Sequence, residues 1–392
     1  MPLGLYISVP FCRSKCSYCN FASDVFSRAV HQGYINRVCD SIEHARDVSE
    51  QVCGKLERVA DSIFLGGGTP TLLDIDQLER LFVTIRSTFD VLADAEITVE
   101  CAPGTITAAV VDAFKRCGIN RVSLGVQSFV DQEAASVGRL HKRQTVMDDI
   151  ARLRAAGIAD INVDLIAGLP HQTAESWEYS LEQAVAAGVP HVSVYMLEVD
   201  GDSRLGRELI AGGTKYHAHF VPDEDMIADF YEEACIRLNA AGVHQYEISN
   251  FSREGHQSRH NLKYWRRQPY LGFGVDAHSM LSATDEGMEA VRFSTPDSLE
   301  EYVAGRPLNI NPISWQAALE ETFFLGLRLN DGIDLDSVER KFGITPVSQM
   351  LNVIDECAGE GLINRQGSRI SLTSRGRLLS NEVFERFISV KT

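Results

Sequence analysis

A chain of 392 residues with 44% hydrophobic and 23% charged side chains has the makeup of a folded globular protein of two or three domains, which excludes disordered, collagen-like and disulfide-scaffold classes. Its 37 Lys and Arg stand against 54 Asp and Glu, a net charge of −17, and a field of that sign repels phosphate backbones and anionic lipid surfaces. Nucleic acid is therefore not an expected partner.

The chain opens on Met1-Pro2-Leu3-Gly4-Leu5 without the basic region of a secretory signal, and no apolar run reaches the roughly 18 residues that span a bilayer. A cytoplasmic protein with no integral membrane segment is expected. Runs rich in β-branched and aliphatic residues then predict strands at Leu5 to Val9, Ser62 to Leu65, Glu96 to Cys101, Arg121 to Val126, Ile161 to Ile166 and His191 to Met196. Helical periodicity fills the intervals at 31–55, 74–90, 107–117, 142–157 and 173–187. Strands alternating with crossover helices give a parallel sheet. Cysteines, glycines and lone polar residues fall near the carboxyl ends of most strands, where barrel enzymes assemble their sites, whereas an open doubly wound sheet concentrates chemistry at one switch point. The expected fold is α/β: a partial, TIM-like (β/α)6 barrel over residues 1–200. Residues 201–311 are less periodic and read as a flanking region over the barrel mouth. Helices at 314–328, 334–341 and 346–359, an alternating strand pair and a final helix make 312–392 a winged-helix-like α+β domain. Residues 311–392 hold nine Lys and Arg, Lys391 among them, against eleven Asp and Glu, and the helix that would enter a DNA groove has no basic residue. This domain is read as a lid or partner surface.

Nine cysteines are an odd number for a chain without a signal, which favours reduced thiols, metal ligation or catalysis over a disulfide framework. Cys12, Cys16 and Cys19 form a C-x3-C-x2-C loop directly after the first strand. Three thiolates so spaced bind three irons of a 4Fe-4S cluster and leave the fourth open to a substrate. A zinc knuckle with a distant fourth ligand is the alternative. Gly66-Gly67-Gly68-Thr69-Pro70 follows the second strand, and glycines let backbone groups approach a ligand's polar end. Glu100, Gln127 and Asp164 stand among apolar residues at or near strand ends and must find partners there, either a ligand or a neighbour such as Arg139. Cys39, Cys53, Cys117, Cys235 and Cys357 read as small buried hydrophobes, Cys101 as a packing residue, and the pair His217 and His219 as a solvated loop.

The cysteine motif within Tyr6-Ile7-Ser8-Val9-Pro10-Phe11-Cys12 resembles the opening of radical S-adenosylmethionine (SAM) proteins, and almost the whole chain resembles their oxygen-independent coproporphyrinogen oxidase branch. The resemblance implies that the open iron chelates SAM, that an electron donor reduces the cluster, and that Tyr6, Tyr18, Gly67, Gly68, Thr69, Glu100, Gln127, Arg139, Asp164 and Leu197 contact SAM. Two departures set this chain apart from the decarboxylases of the branch: Phe21 stands where they carry a fourth cysteine, and only four residues precede Leu5. His260-Asn261-Leu262-Lys263-Tyr264-Trp265 is similar to the H-N-x-x-Y-W signature of the haem-chaperone group. That likeness implies bound haem, His260 as its ligand, and a haem-acceptor protein as partner. Coproporphyrinogen III dehydrogenation is the competing activity.

Overall fold

The computed structural model describes residues 1–388; Lys391, counted above, lies outside the described residues. The six predicted strands are present as β1 (Leu3–Val9), β2 (Val59–Gly67), β3 (Asp90–Cys101), β4 (Arg121–Gln127), β5 (Asp160–Ala167) and β6 (His191–Met196), each parallel to the next. Their register aligns apolar rows: Leu5 with Ile63 and Ile97, and Leu124 with Val163 and Val192. These side chains face outward onto the returning helices and are fully buried or nearly so. Each such burial contributes about 1.5 to 3 kcal/mol.

Local chemistry places the helices. Asp74 and Gln77 cap Ile75–Thr88 reciprocally, Thr107 caps Ala108–Cys117, and Thr173 caps Ala174–Ala187. Gly188, at φ +64°, ends the last of these in a conformation that disfavours a Cβ. The run read as one helix at 31–55 is two, His31–Glu43 and Ala45–Gln51, broken where the His44 N–H closes the first on Asp40 O. A further short helix, Asp131–Ser136, lies in an interval for which no element was expected.

Residues 201–311 contribute strands to both edges of this sheet. β7 (His244–Gln245) and β8 (Asn250–Ser252) join beyond β6, where β8 runs antiparallel to it. β9 (Tyr270–Phe273) pairs in parallel with β1, and β10 (His278–Ser282), β11 (Ala290–Ser294) and β12 (Asn309–Ile313) follow antiparallel. The order β12-β11-β10-β9-β1-β2-β3-β4-β5-β6-β8-β7 is an arc, with no pairing between β12 and β7 among the described residues.

The C-terminal domain packs helices Trp315–Gly326, Leu335–Phe342 and Ile344–Gly359 on a small sheet of β13 (Ile333–Asp334), β14 (Ile363–Gln366) and β15 (Arg369–Leu372), in the order β13-β15-β14. The final helix is two short ones, Ser374–Leu378 and Ser380–Glu385. Buried Phe323 and Phe387 stack 5.0 Å apart in its separate core. The Arg267 guanidinium ties this domain to the sheet extension, reaching Glu321 at 2.8 Å and Glu289 at 3.0 Å. Arg292 and Lys341 bind the same two carboxylates.

Candidate functional site

Alternation along β3 to β6 decides the barrel's interior. Side chains two apart share a face. The inward positions are Thr98 and Glu100, Arg121, Ser123 and Gln127, Asn162 and Asp164, His191 and Ser193, and all line one cavity of about 840 Å³. Their network is local and dense. Asn162 Nδ2 donates to Ser123 Oγ and to Asp164 Oδ1, each at 2.7 Å, and Ser123 Oγ donates to Asp164 Oδ2 at 3.0 Å. His191 bridges Asn162 Oδ1 at 2.6 Å and the Tyr246 hydroxyl at 2.9 Å. Ser123, Asn162, His191 and Ser193 were missed by the sequence reading, although their period of two on predicted strands is the signal that reveals them.

The cysteine loop crosses the carboxyl end of this arc. Its ends are closed by Cys12 N–H on Asp24 O and Asp24 N–H on Pro10 O, both at 3.0 Å. Lys15 Nζ donates to the Ser23 carbonyl at 2.7 Å, Ser17 N–H to Val137 O at 3.2 Å, and Ser14 Oγ to Gly138 O at 3.0 Å. Cys12, Cys16 and Cys19 are free thiols, half-buried, on the wall of the large cavity. Tyr18, Gly67, Gly68, Thr69, Glu100, Gln127, Arg139, Asp164 and Leu197 line it too. Tyr6 does not; it faces a second pocket of about 260 Å³ beyond Gly67. His260 lines neither.

Glu100 accepts a hydrogen bond from Gly67 N–H at 3.2 Å. Burial against the cavity wall, then Asp164 nearby, pushes its carboxyl up to about 8. Gly125 leaves room for Arg139, whose guanidinium an added Cβ would meet at 2.8 Å. The Arg139 Nε is buried without a partner among the described residues.

The thiols fit an iron-sulfur cluster better than a zinc knuckle. Zinc gathers its thiolates on one ion, whereas a cluster takes each on a different iron. Among the described residues no three Cys, His, Asp or Glu converge to hold a single ion, while the three thiols share one cavity. Gly68 makes that cradle: a Cβ there would stand 3.0 Å from Cys12 Sγ and 2.7 Å from Phe11 O. The orphaned Arg139 Nε and the Glu100 carboxyl supply the cavity with one donor and one acceptor for a polar ligand.

His260 sits in the helix Arg259–Trp265, buried against the inward-facing Ser62 and Phe64 of β2. Its Nδ1 is 3.0 Å from Ser62 Oγ and its Nε2 2.8 Å from the Tyr264 hydroxyl, so both ring nitrogens are engaged. Burial, with Lys263 beside it, holds its pKa down to about 3, and the ring is neutral. Two other expectations are corrected. Cys53 is exposed, on a turn at φ +55°, because it follows the end of its helix instead of lying within one. His217 stands in a loop, as expected, but is half-buried instead of solvated, its Nδ1 3.3 Å from Nε2 of His171, a residue far away in sequence, while His219 is exposed.

An open parallel barrel with three thiols on the loop after its first strand defines the radical SAM class. The family model described as Radical SAM superfamily matches residues 6–184, and that of the HemN C-terminal domain matches 313–379. The protein named heme chaperone HemW of Bacillus subtilis is 32% identical over 98% of both chains, and that of Synechocystis 36% identical over 85% of this chain and 79% of its own. The chain belongs to the HemW family. In fold it matches the solved structure of coproporphyrinogen III oxidase HemN from Escherichia coli, a radical SAM enzyme, at a TM-score of 0.82 and 24% identity over 98% of this chain and 90% of that one.

Proposed function

We propose that this protein is a haem chaperone of the radical SAM type, which holds a 4Fe-4S cluster and SAM, binds haem and passes it to an acceptor protein. The observation that carries the reading is the shared cavity: three thiols of one loop open on the same space as Glu100, Arg139 and Asp164, with Phe21 at the position where decarboxylases of the branch have a fourth cysteine. Cys12, Cys16 and Cys19 hold the cluster, which supplies an open iron and electrons from an external donor. Glu100 and Asp164 accept hydrogen bonds from the hydroxyl and ammonium groups of SAM, and Arg139 and Gln127 orient it. The glycines at 67 and 68 admit its polar end close to the backbone. Tyr6, Tyr18, Thr69 and Leu197 complete the enclosure. His260, fixed between Ser62 and Tyr264, reaches haem iron only if its helix opens. No helix among the described residues is long and apolar enough to cross a membrane, in keeping with a cytoplasmic place of work.

The test uses anaerobic, cluster-loaded protein given coproporphyrinogen III in one arm and haem with an apo-cytochrome acceptor in another. Haem binding and transfer without decarboxylation is the expected result. Appearance of protoporphyrinogen would replace the reading with the dehydrogenase.

A further inference from the structure

The loop of residues 137–142, between the helices Asp131–Ser136 and Arg143–Ala155, ties three parts of the large cavity together. At its start the Val137 carbonyl accepts Ser17 N–H at 3.2 Å and the Gly138 carbonyl accepts the Ser14 hydroxyl at 3.0 Å, which fastens it to the cysteine loop. In its middle Arg139 enters the cavity. At its end His141 does not line the cavity; it is buried, with Nε2 3.1 Å from the Val126 carbonyl on β4. The ladder from β4 to β5 skips that residue: Gly125 pairs with Asp164 and Gln127 with Leu165, so Val126 is a bulge. Directly after it Gln127 is at φ +70°, a backbone that a residue other than glycine keeps only where its surroundings hold it, and its side chain lines the cavity. Gln127 and Arg139 converge there, since a Cβ on Gly125 would meet Arg139 Nη2 at 2.8 Å and Gln127 Nε2 at 3.1 Å.

We propose that His141 is a positioning residue of the SAM site: its Nε2–H holds the Val126 carbonyl at the bulge and so fixes Gln127 and the Arg139 loop in the arrangement that receives SAM. This role rests on the SAM-binding part of the reading above. His141 acts through those two side chains, because it lines no part of the cavity itself. Burial, then the Arg139 charge, holds the pKa of its ring down to about 4, so the imidazole is neutral. A neutral imidazole has one N–H, and facing a carbonyl that proton sits on Nε2. With the donor removed, a buried carbonyl is left unpaired, and the bulge and the left-handed Gln127 lose the side-chain bond that holds them. An amide and a guanidinium out of place by a fraction of an ångström no longer orient a ligand.

The experiment titrates SAM into the anaerobic, cluster-loaded and reduced full chain, recording the spin-resonance spectrum and the iron content for wild type, His141→Phe and His141→Gln, and for His141→Phe added to Gln127→Ala. His141→Phe keeps a ring in the space without the donor; it is expected to hold wild-type iron and to need about tenfold more SAM to shift the cluster signal. His141→Gln, whose Nε2–H stands as many bonds from the backbone as that of histidine, restores SAM binding close to wild type. In the Gln127→Ala background the Phe substitution costs clearly less, because the two residues act as a unit. Wild-type SAM binding in His141→Phe, a Gln variant as weak as the Phe variant, or an equal loss in both backgrounds overturns the role, and so does loss of iron in both His141 variants, which would make the residue one of folding alone. A wild-type protein whose cluster signal ignores SAM overturns the SAM-binding reading and this role with it.

Discussion

Glu100 carries the clearest pH consequence of any single side chain. Its carboxyl ordinarily titrates near 4.5 and here near 8, so the folded chain binds a proton that the unfolded chain has already released. Stability from this group is whole below about pH 4.5, falls as pH rises, and is fully lost above about 8. Chemical unfolding of ligand-free protein is expected to show that decline in wild type and a flatter profile in Glu100→Gln, with the variant the more stable at pH 9. Equal slopes would mean that the carboxyl is not held in its neutral form. At this scale the sequence was informative wherever a reactive side chain stood next to a predicted strand end: the three cysteines, Glu100, Gln127 and Asp164 were all picked out, and all line one cavity. The His171 and His217 pair was invisible, because nothing in either local context indicates the other.

Among the elements, the glycine-rich turn after β2 bears most directly on the cysteine loop, and at Gly68 it admits no side chain. Gly68→Ala is expected to displace the cysteine loop and lower the iron retained after reconstitution to well below wild type, since the new methyl meets Phe11 O, Val9 O and Cys12 Sγ. Gly33→Ala, in the helix His31–Glu43 with nothing within 4 Å, keeps full iron and gains up to about 1 kcal/mol from helix propensity. Similar iron contents in the two variants would remove the cradle argument. The same element scale explains what could be read in advance. β6 was predicted at its observed limits because its apolar run is bounded by Pro190 and an acidic segment. The start of β3, Asp90 to Asp94, is largely exposed, an apolar trio between two aspartates, and pairs there with the first residues of β2. β9 has four residues, one of them Gly272, and owes its form to β1. Tertiary pairing, absent from local propensity, made these strands.

For the molecule as a whole, the junction of barrel and C-terminal domain rests on the buried Arg267. Removing one partner of a buried ion pair costs about 3 to 5 kcal/mol, and Arg292 and Lys341 remain to moderate it, so Arg267→Ala is expected to lose about 3 kcal/mol in urea unfolding. Hydrogen exchange at Leu378 to Asn381, where that domain walls the large cavity, should quicken in the variant. Unaltered exchange would show that the two parts are held together by other contacts.

That wall has a developmental meaning. The sulfur donors at positions 12 to 19 leave the ribosome well before Arg328, Ser380 and Asn381, which line the same chamber. Contacts so distant along the chain are slow to form. The thiols therefore go without this wall until the later residues have been made and have docked.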